Sequence, residues 1–156
     1  MNSLPGRIVG IDYGTRRIGI AISDPAQSFA SPHENYTRRD EAADRRRFRQ
    51  LVEEERVARF VVGLPVHLDG RESQKSGEAR QFAVWLAEAT GVPVELFDER
   101  FTTYEAEQFL ADAQLTKKKR KERLDKLAAQ IMLTAYLESR RAGASGADSA
   151  SRGLDD

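Results

Sequence analysis

Apolar positions in this chain fall into short continuous runs that give way to helically spaced stripes. Ile8-Val9-Gly10-Ile11 and Ile18-Gly19-Ile20-Ala21 are brief and rich in β-branched residues, the signature of buried strands. The Gly14 turn between them predicts an opening hairpin. Ser28 to Tyr36 reads as a weaker third strand, and Asp40 to Arg56 as a charged helix with Phe48, Leu51 and Val52 on one face. Arg59-Phe60-Val61-Val62-Gly63 is a short buried strand stopped by Leu64-Pro65, and a polar loop from Val66 to Lys75 follows. Ala79, Phe82, Ala83, Leu86 and Ala87 then form a helical stripe from Ser76 to Thr90, ended by Gly91. Pro93 to Phe97 is the last strand. Beyond Asp98-Glu99-Arg100, Thr102 and Glu105 suggest a capping box, and a final helix is expected from about Glu122 to Arg141. A strand meander followed by strands separated by helices predicts an α/β fold, a mixed sheet with helices packed on it.

Length and composition narrow this picture. The chain has 156 residues, one domain's worth and enough to bury a core. That domain is expected over residues 1–141, because Ala142 to Asp156 are mostly Gly, Ala, Ser and Asp with a lone Leu154, too poor in apolar groups to order by burial. With 25 basic and 25 acidic residues, a polyanion-binding surface must come from segregation of charge, not from excess. The absence of cysteine excludes disulfides, thiolate zinc sites and a thiol nucleophile. Met1 to Gly6 lack the regions of a signal peptide, and no apolar run approaches the ~18 residues of a membrane span, so a cytoplasmic protein without membrane attachment is expected.

Three acids stand on apolar supports. Asp12 closes the first strand, where an unpaired charge is disfavoured; a bound metal or phosphate would explain it, and an Asp bonding the backbone of its own turn is the alternative. Glu99 likewise follows an apolar strand, where α/β sheets hold ligands, unless it is simply paired with Arg100. On the last helix, spaced at ~100° per residue, Leu124, Leu127, Ala128, Ile131 and Ala135 are expected on the core face, with Asp125 beside them in the sector of Ala129, Met132 and Tyr136. An acid near a helix start can also answer only to the helix dipole. Three such acids would repel one another unless a cation lay between them, and oxygen ligands suit Mg²⁺ or Mn²⁺.

Cationic residues precede Asp125. Lys117-Lys118-Lys119-Arg120-Lys121-Glu122-Arg123 is the densest basic stretch; a solvated charge run is its ordinary explanation, but here it would bring a phosphate backbone to acids that alone repel it. Arg16 and Arg17 in the first turn extend that candidate surface. Arg45-Arg46-Arg47 and Arg49 are weaker candidates, since Asp44 and Glu53 to Glu55 can neutralise them locally.

These residues carry a resemblance. Asp12-Tyr13-Gly14-Thr15 with Ile18-Gly19-Ile20-Ala21, Val62-Gly63-Leu64-Pro65 to Asp69-Gly70, Asp98-Glu99-Arg100-Phe101-Thr102-Thr103, and Leu124-Asp125-Lys126-Leu127-Ala128-Ala129 resemble, in that order, the motifs of the bacterial YqgF family, also called RuvX. The resemblance is colinear from about Arg7 to Ser139. It implies an RNase H-like five-stranded mixed sheet flanked by helices, a divalent-metal site (Mg²⁺ or Mn²⁺) and hydrolysis of phosphodiesters in 5′-end processing of pre-16S rRNA. It also implies that Asp12, Glu99 and Asp125 are the catalytic and metal-holding acids. In related resolvases the second acid stands on the strand beside the first. Here that strand ends in Gly63-Leu64-Pro65, so Glu99 must reach inward from one strand further out, or Asp69 takes its place.

The leading expectation is a metal-dependent nuclease acting on RNA in ribosomal precursor particles, as monomer or homodimer. With two metals ~3.5–4 Å apart, one would activate water and the other stabilise the leaving oxygen. The alternatives are a Holliday junction resolvase acting on branched DNA, favouring a dimer, and an RNA-binding ribosome assembly factor that does not cut. A sugar-kinase or actin-like phosphate module is disfavoured because the length leaves no room for a second lobe. His67 could serve as a ligand or base, but a lone loop histidine is more often a bystander, and His33 and Trp85 have no evident partners.

Overall fold

The structure, a computed structural model, describes residues 6–66, 69–99 and 127–142. Strands β1 (Arg7–Asp12), β2 (Arg17–Ser23) and β3 (Ala30–Thr37) lead to helix α1 (Glu41–Glu55), strand β4 (Val57–Leu64), helix α2 (Gln74–Thr90) and strand β5 (Val94–Asp98). A last helix, α3, covers 127–142. The five strands form one sheet in the order β3-β2-β1-β4-β5. Pairing is antiparallel through β3, β2 and β1 and parallel from β1 through β4 to β5, the mixed sheet that the alternation of patterns predicts.

Alternation along each strand splits the core between two faces. Val9, Ile11, Phe60 and Val62 pack with α1 and α2 around Phe48, Phe82 and Leu86. Ile8, Ala21 and Val61 point the other way, against Ala129, Met132, Leu133 and Tyr136 of α3. Local chemistry fixes the helix ends: the Asp40 side chain accepts from the Ala43 N–H to open α1, Ser73 and Ser76 cap α2 reciprocally, and Gly91 closes α2 at a φ of 73°. No helix among the described residues is long and apolar enough to cross a membrane.

Several sequence expectations shift. The polar loop is shorter than expected, since α2 already begins at Gln74 and Val66 bridges to Glu72. On α2 the buried stripe includes Ala89, while Ala87 is only half-buried. Trp85 has partners after all: its ring lies 5.4 Å from Phe82 and 6.2 Å from Phe48, and its indole N–H donates to Glu41 at 3.2 Å.

The larger correction concerns α3. Leu127, Ala128, Ile131 and Ala135, expected on the core face, are only half-buried; Ala129, Met132, Leu133, Tyr136 and Leu137 are the buried set. The cause is Gly10. A Cβ there would lie 2.9 Å from the Leu133 Cβ and 3.4 Å from the Ala129 carbonyl, so a bare glycine on β1 admits this edge of the helix. The expected capping box at Thr102 and Glu105, and the start of the last helix at Glu122, lie outside the described residues. Ala142, expected to begin a tail, is still helical.

Candidate active site at the ends of the parallel strands

The parallel pairings bring two acids to one end of the sheet. Ile11 is opposite Val62, which sets Asp12 beside Gly63. Gly63 is in turn opposite Phe97, and Leu64 opposite Asp98. By strand alternation Asp12, Gly63 and Glu99 share the face on which Ile8, Val61 and Phe97 meet α3. Glu99 does stand one strand out, and it does reach inward: its side chain lies across Gly63, where a Cβ would come within 2.8 Å of the Glu99 Cδ. The glycine is therefore a passage. Only a residue without a side chain leaves room for a carboxylate from β5 to cross β4 to Asp12.

The two acids meet there. Burial pushes the Glu99 carboxyl above its ordinary value of 4.5, a side-chain hydrogen bond with Asp12 pulls it back, and the charge of Asp98 pushes it up again. Around the pair opens a cleft of about 350 Å³, lined by Tyr13, Gly14, Thr15 and Pro65 as well as Lys75, Glu78 and Ala79 from the start of α2. Lys75 and Glu78 escaped the sequence reading, and Ala79 was read there only as part of the apolar stripe. Their three- and four-residue spacing puts them on one side of a helix, but only the packing of α2 shows which side faces the acids.

Asp69, the substitute candidate, is not among the described residues that line the cleft. Its side chain is half exposed and paired with Arg71 at 2.6 Å, and it accepts the Arg71 backbone N–H at 3.0 Å, an Asx turn that closes its own loop. Arg16 and Arg17 are exposed beside the cleft, and Thr15 joins them to it. Three of the four α1 arginines are tied up, though by other partners than expected: Arg45 by Glu41, Arg47 by Glu34, and Arg49 by the Ala89 carbonyl at 2.7 Å, while Arg46 is exposed. Asp44 is instead buried. Asp125, the basic run Lys117, Lys118, Lys119, Arg120, Lys121 and Arg123, and His67 lie outside the described residues. Among the described residues no group of three or more His, Cys, Asp or Glu side chains is placed to hold a metal ion; two of the expected three acids are together.

Known proteins share this framework. The profile of the family RuvX, described as Holliday junction resolvase, matches residues 6–139. A relative from Rhodopirellula baltica, named "Putative pre-16S rRNA nuclease", is 49% identical over 136 residues, covering 87% of this chain and 79% of that protein. A relative of the same name from Koribacter versatilis is 40% identical over 139 residues, covering 89% and 91%. Among solved structures, T. thermophilus RuvC in complex with Holliday junction substrate superposes with a TM-score of 0.53 at 16% identity, over 88% of this chain and 96% of that one. At that identity the likeness is one of fold, and the fold is RNase H-like. With a family profile spanning nearly all of the described strands and helices, the chain belongs to the RuvX family.

Proposed function

We propose that this chain is a divalent-metal-dependent nuclease that hydrolyses nucleic acid phosphodiesters, with the 5′ end of pre-16S rRNA in ribosomal precursors as its cytoplasmic substrate. The observation that carries the reading is the meeting of Asp12 and Glu99 across Gly63. Two carboxyl groups held together at the rim of a core disfavour double ionisation unless a cation offsets the charge, and an all-oxygen donor set suits Mg²⁺ or Mn²⁺. The residues fit such an ion. Asp12 and Glu99 would hold it, with Asp125 as third ligand. Support for Asp125 comes from the course of α3: Ala129 and Leu133 lie against Gly10 near the Asp12 end of β1, while Arg141 bonds the Ser28 carbonyl in the β2–β3 loop. The start of α3 thus points toward the two acids, and Asp125 precedes Ala129 by about one helical turn in sequence.

A bound cation would offset phosphate charge and lower the pKa of the attacking water. The chain's own residues do the rest. Asp12 is fixed at a strand end and Glu99 by the wall of the Gly63 passage. Lys75 supplies positive charge to the cleft lining, to which Pro65 and Ala79 add apolar surface. The basic run Lys117 to Arg123, with Arg16 and Arg17, would hold the substrate backbone. The test is cleavage of a pre-16S rRNA fragment, beside a four-way DNA junction, by wild type, Asp12→Asn and Glu99→Gln with Mn²⁺. Cleavage of the RNA, reduced roughly a hundredfold or more in both variants, is expected, since even outer-shell changes cost ten- to hundredfold. Cleavage of the junction alone would assign the site to DNA; activity unaffected by either substitution would remove these acids from the chemistry.

A further inference from the structure

Beside the carboxylate cleft lies a second furrow, of about 630 Å³, lined by Thr15, Arg16, Arg17, Thr37, Arg38 and Arg39. Sheet register builds it. Arg17 is opposite Thr37 and the Arg38 N–H donates to the Arg16 carbonyl at 2.8 Å, so the first turn and the end of β3 bring four arginines and two hydroxyls together, with no acid among the described lining residues. Arg38 is held rigidly. Its Nε donates to the buried Asp44 at 3.4 Å and its Nη1 to the Tyr13 hydroxyl at 2.9 Å, while its guanidinium sits 5.3 Å from the Tyr13 ring and 5.8 Å from that of Phe82. Asp44 also accepts the Arg39 backbone N–H at 2.9 Å, so one buried acid holds the Arg38 guanidinium and the Arg39 backbone. Thr15 lines both cavities and stands where they adjoin.

We propose that this furrow is a binding subsite for the phosphodiester backbone of an unpaired strand, which it feeds over Thr15 toward Asp12 and Glu99. Clustered guanidinium groups and hydroxyls recognise phosphate oxygens, and of the four arginines Arg38 is the one pre-fixed, by its pairing with Asp44. The furrow is lined by cations and threonines, with no base-reading pattern, so it grips backbone and not sequence. The inference rests on the nuclease reading only for where the strand leads.

The experiment is fluorescence anisotropy of the full chain without divalent metal, using a labelled single-stranded RNA, a DNA strand of equal length and an RNA duplex, each over a range of salt. Arg17→Gln and Arg39→Gln should each weaken RNA binding about tenfold and flatten the log–log salt slope by ~0.7 per lost phosphate contact. Arg38→Gln should do the same; should it unsettle Asp44 and the fold, the other two still decide the matter, because Arg39 meets Asp44 through its backbone. Arg59→Gln, a control whose arginine pairs with Glu95 on β4 and β5, should leave both values unchanged. Comparable binding of the DNA strand supports backbone recognition. A preference for duplex, or affinities and slopes unchanged in Arg17→Gln and Arg39→Gln, would overturn the furrow. Weakened binding with no cleavage by wild type would overturn the nuclease reading and leave the furrow standing.

Discussion

Asp44 shows how one buried side chain organises its surroundings. Only 3% of its side chain is exposed, yet it accepts from the Tyr36 hydroxyl at 2.7 Å and from the Arg39 backbone, with the Arg38 guanidinium beside it; an acid so placed is tolerated because its lone pairs are filled. The phenol shows the other side of this arrangement. Burial, then the hydrogen bond to Asp44, pushes the Tyr36 hydroxyl from 10.0 up to about 12. Because the unfolded chain releases this proton earlier than the folded one, the stabilisation is fully present below pH 10 and is lost as pH rises from there toward 12. Subtracting the phenolate absorbance titration of Tyr36→Phe from that of wild type should leave a component with a midpoint near 12. A component near 10 would show that the phenol is neither buried nor bonded.

At the scale of elements, two glycines decide how the strands receive their neighbours. Gly10 admits α3, and an alanine there would press on the Leu133 Cβ at 2.9 Å. Gly10→Ala is therefore expected to lower the unfolding free energy by about 1–3 kcal/mol, the range for overpacking. Gly77, in α2, faces open space, and Gly77→Ala should instead stabilise by roughly 0.5–1 kcal/mol through helix propensity. Urea midpoints of the two variants, moving in opposite directions, check both. Gly10 also explains what the sequence concealed. The strands were legible from their apolar runs, and Asp12 and Glu99 from their places at strand ends. The roll of α3 was not: the helix carries two adjacent apolar sectors, and nothing in its own spacing says which one a bare glycine on β1 will receive. Arg38 and Arg39 were hidden for a similar reason, since they join Arg16 and Arg17 only through the register of β2 with β3. Trp85 found its partners only once α2 lay against α1.

Across the whole molecule, equal numbers of basic and acidic residues are sorted by place. Acids meet at the end of the parallel strands, arginines gather where the first turn joins β3, and on α1 Arg45 pairs with Glu41 and Arg47 with Glu34. The sheet order makes this possible, because β1 at the centre presents Asp12 to β4 and Glu99 on one side and its following turn to β3 on the other. In the proposed function Glu99, crossing Gly63, completes a cation site with Asp12, a claim open to calorimetric titration of Mn²⁺ into wild type, Glu99→Gln and Gly63→Ala. The last variant keeps every acid and changes only the passage, where the new methyl group meets the mobile end of the Glu99 side chain and not the backbone. Wild type should bind Mn²⁺, and both variants should bind about tenfold or more weakly with unchanged circular dichroism. Wild-type affinity in Gly63→Ala, or no Mn²⁺ binding by wild type, would contradict the claim.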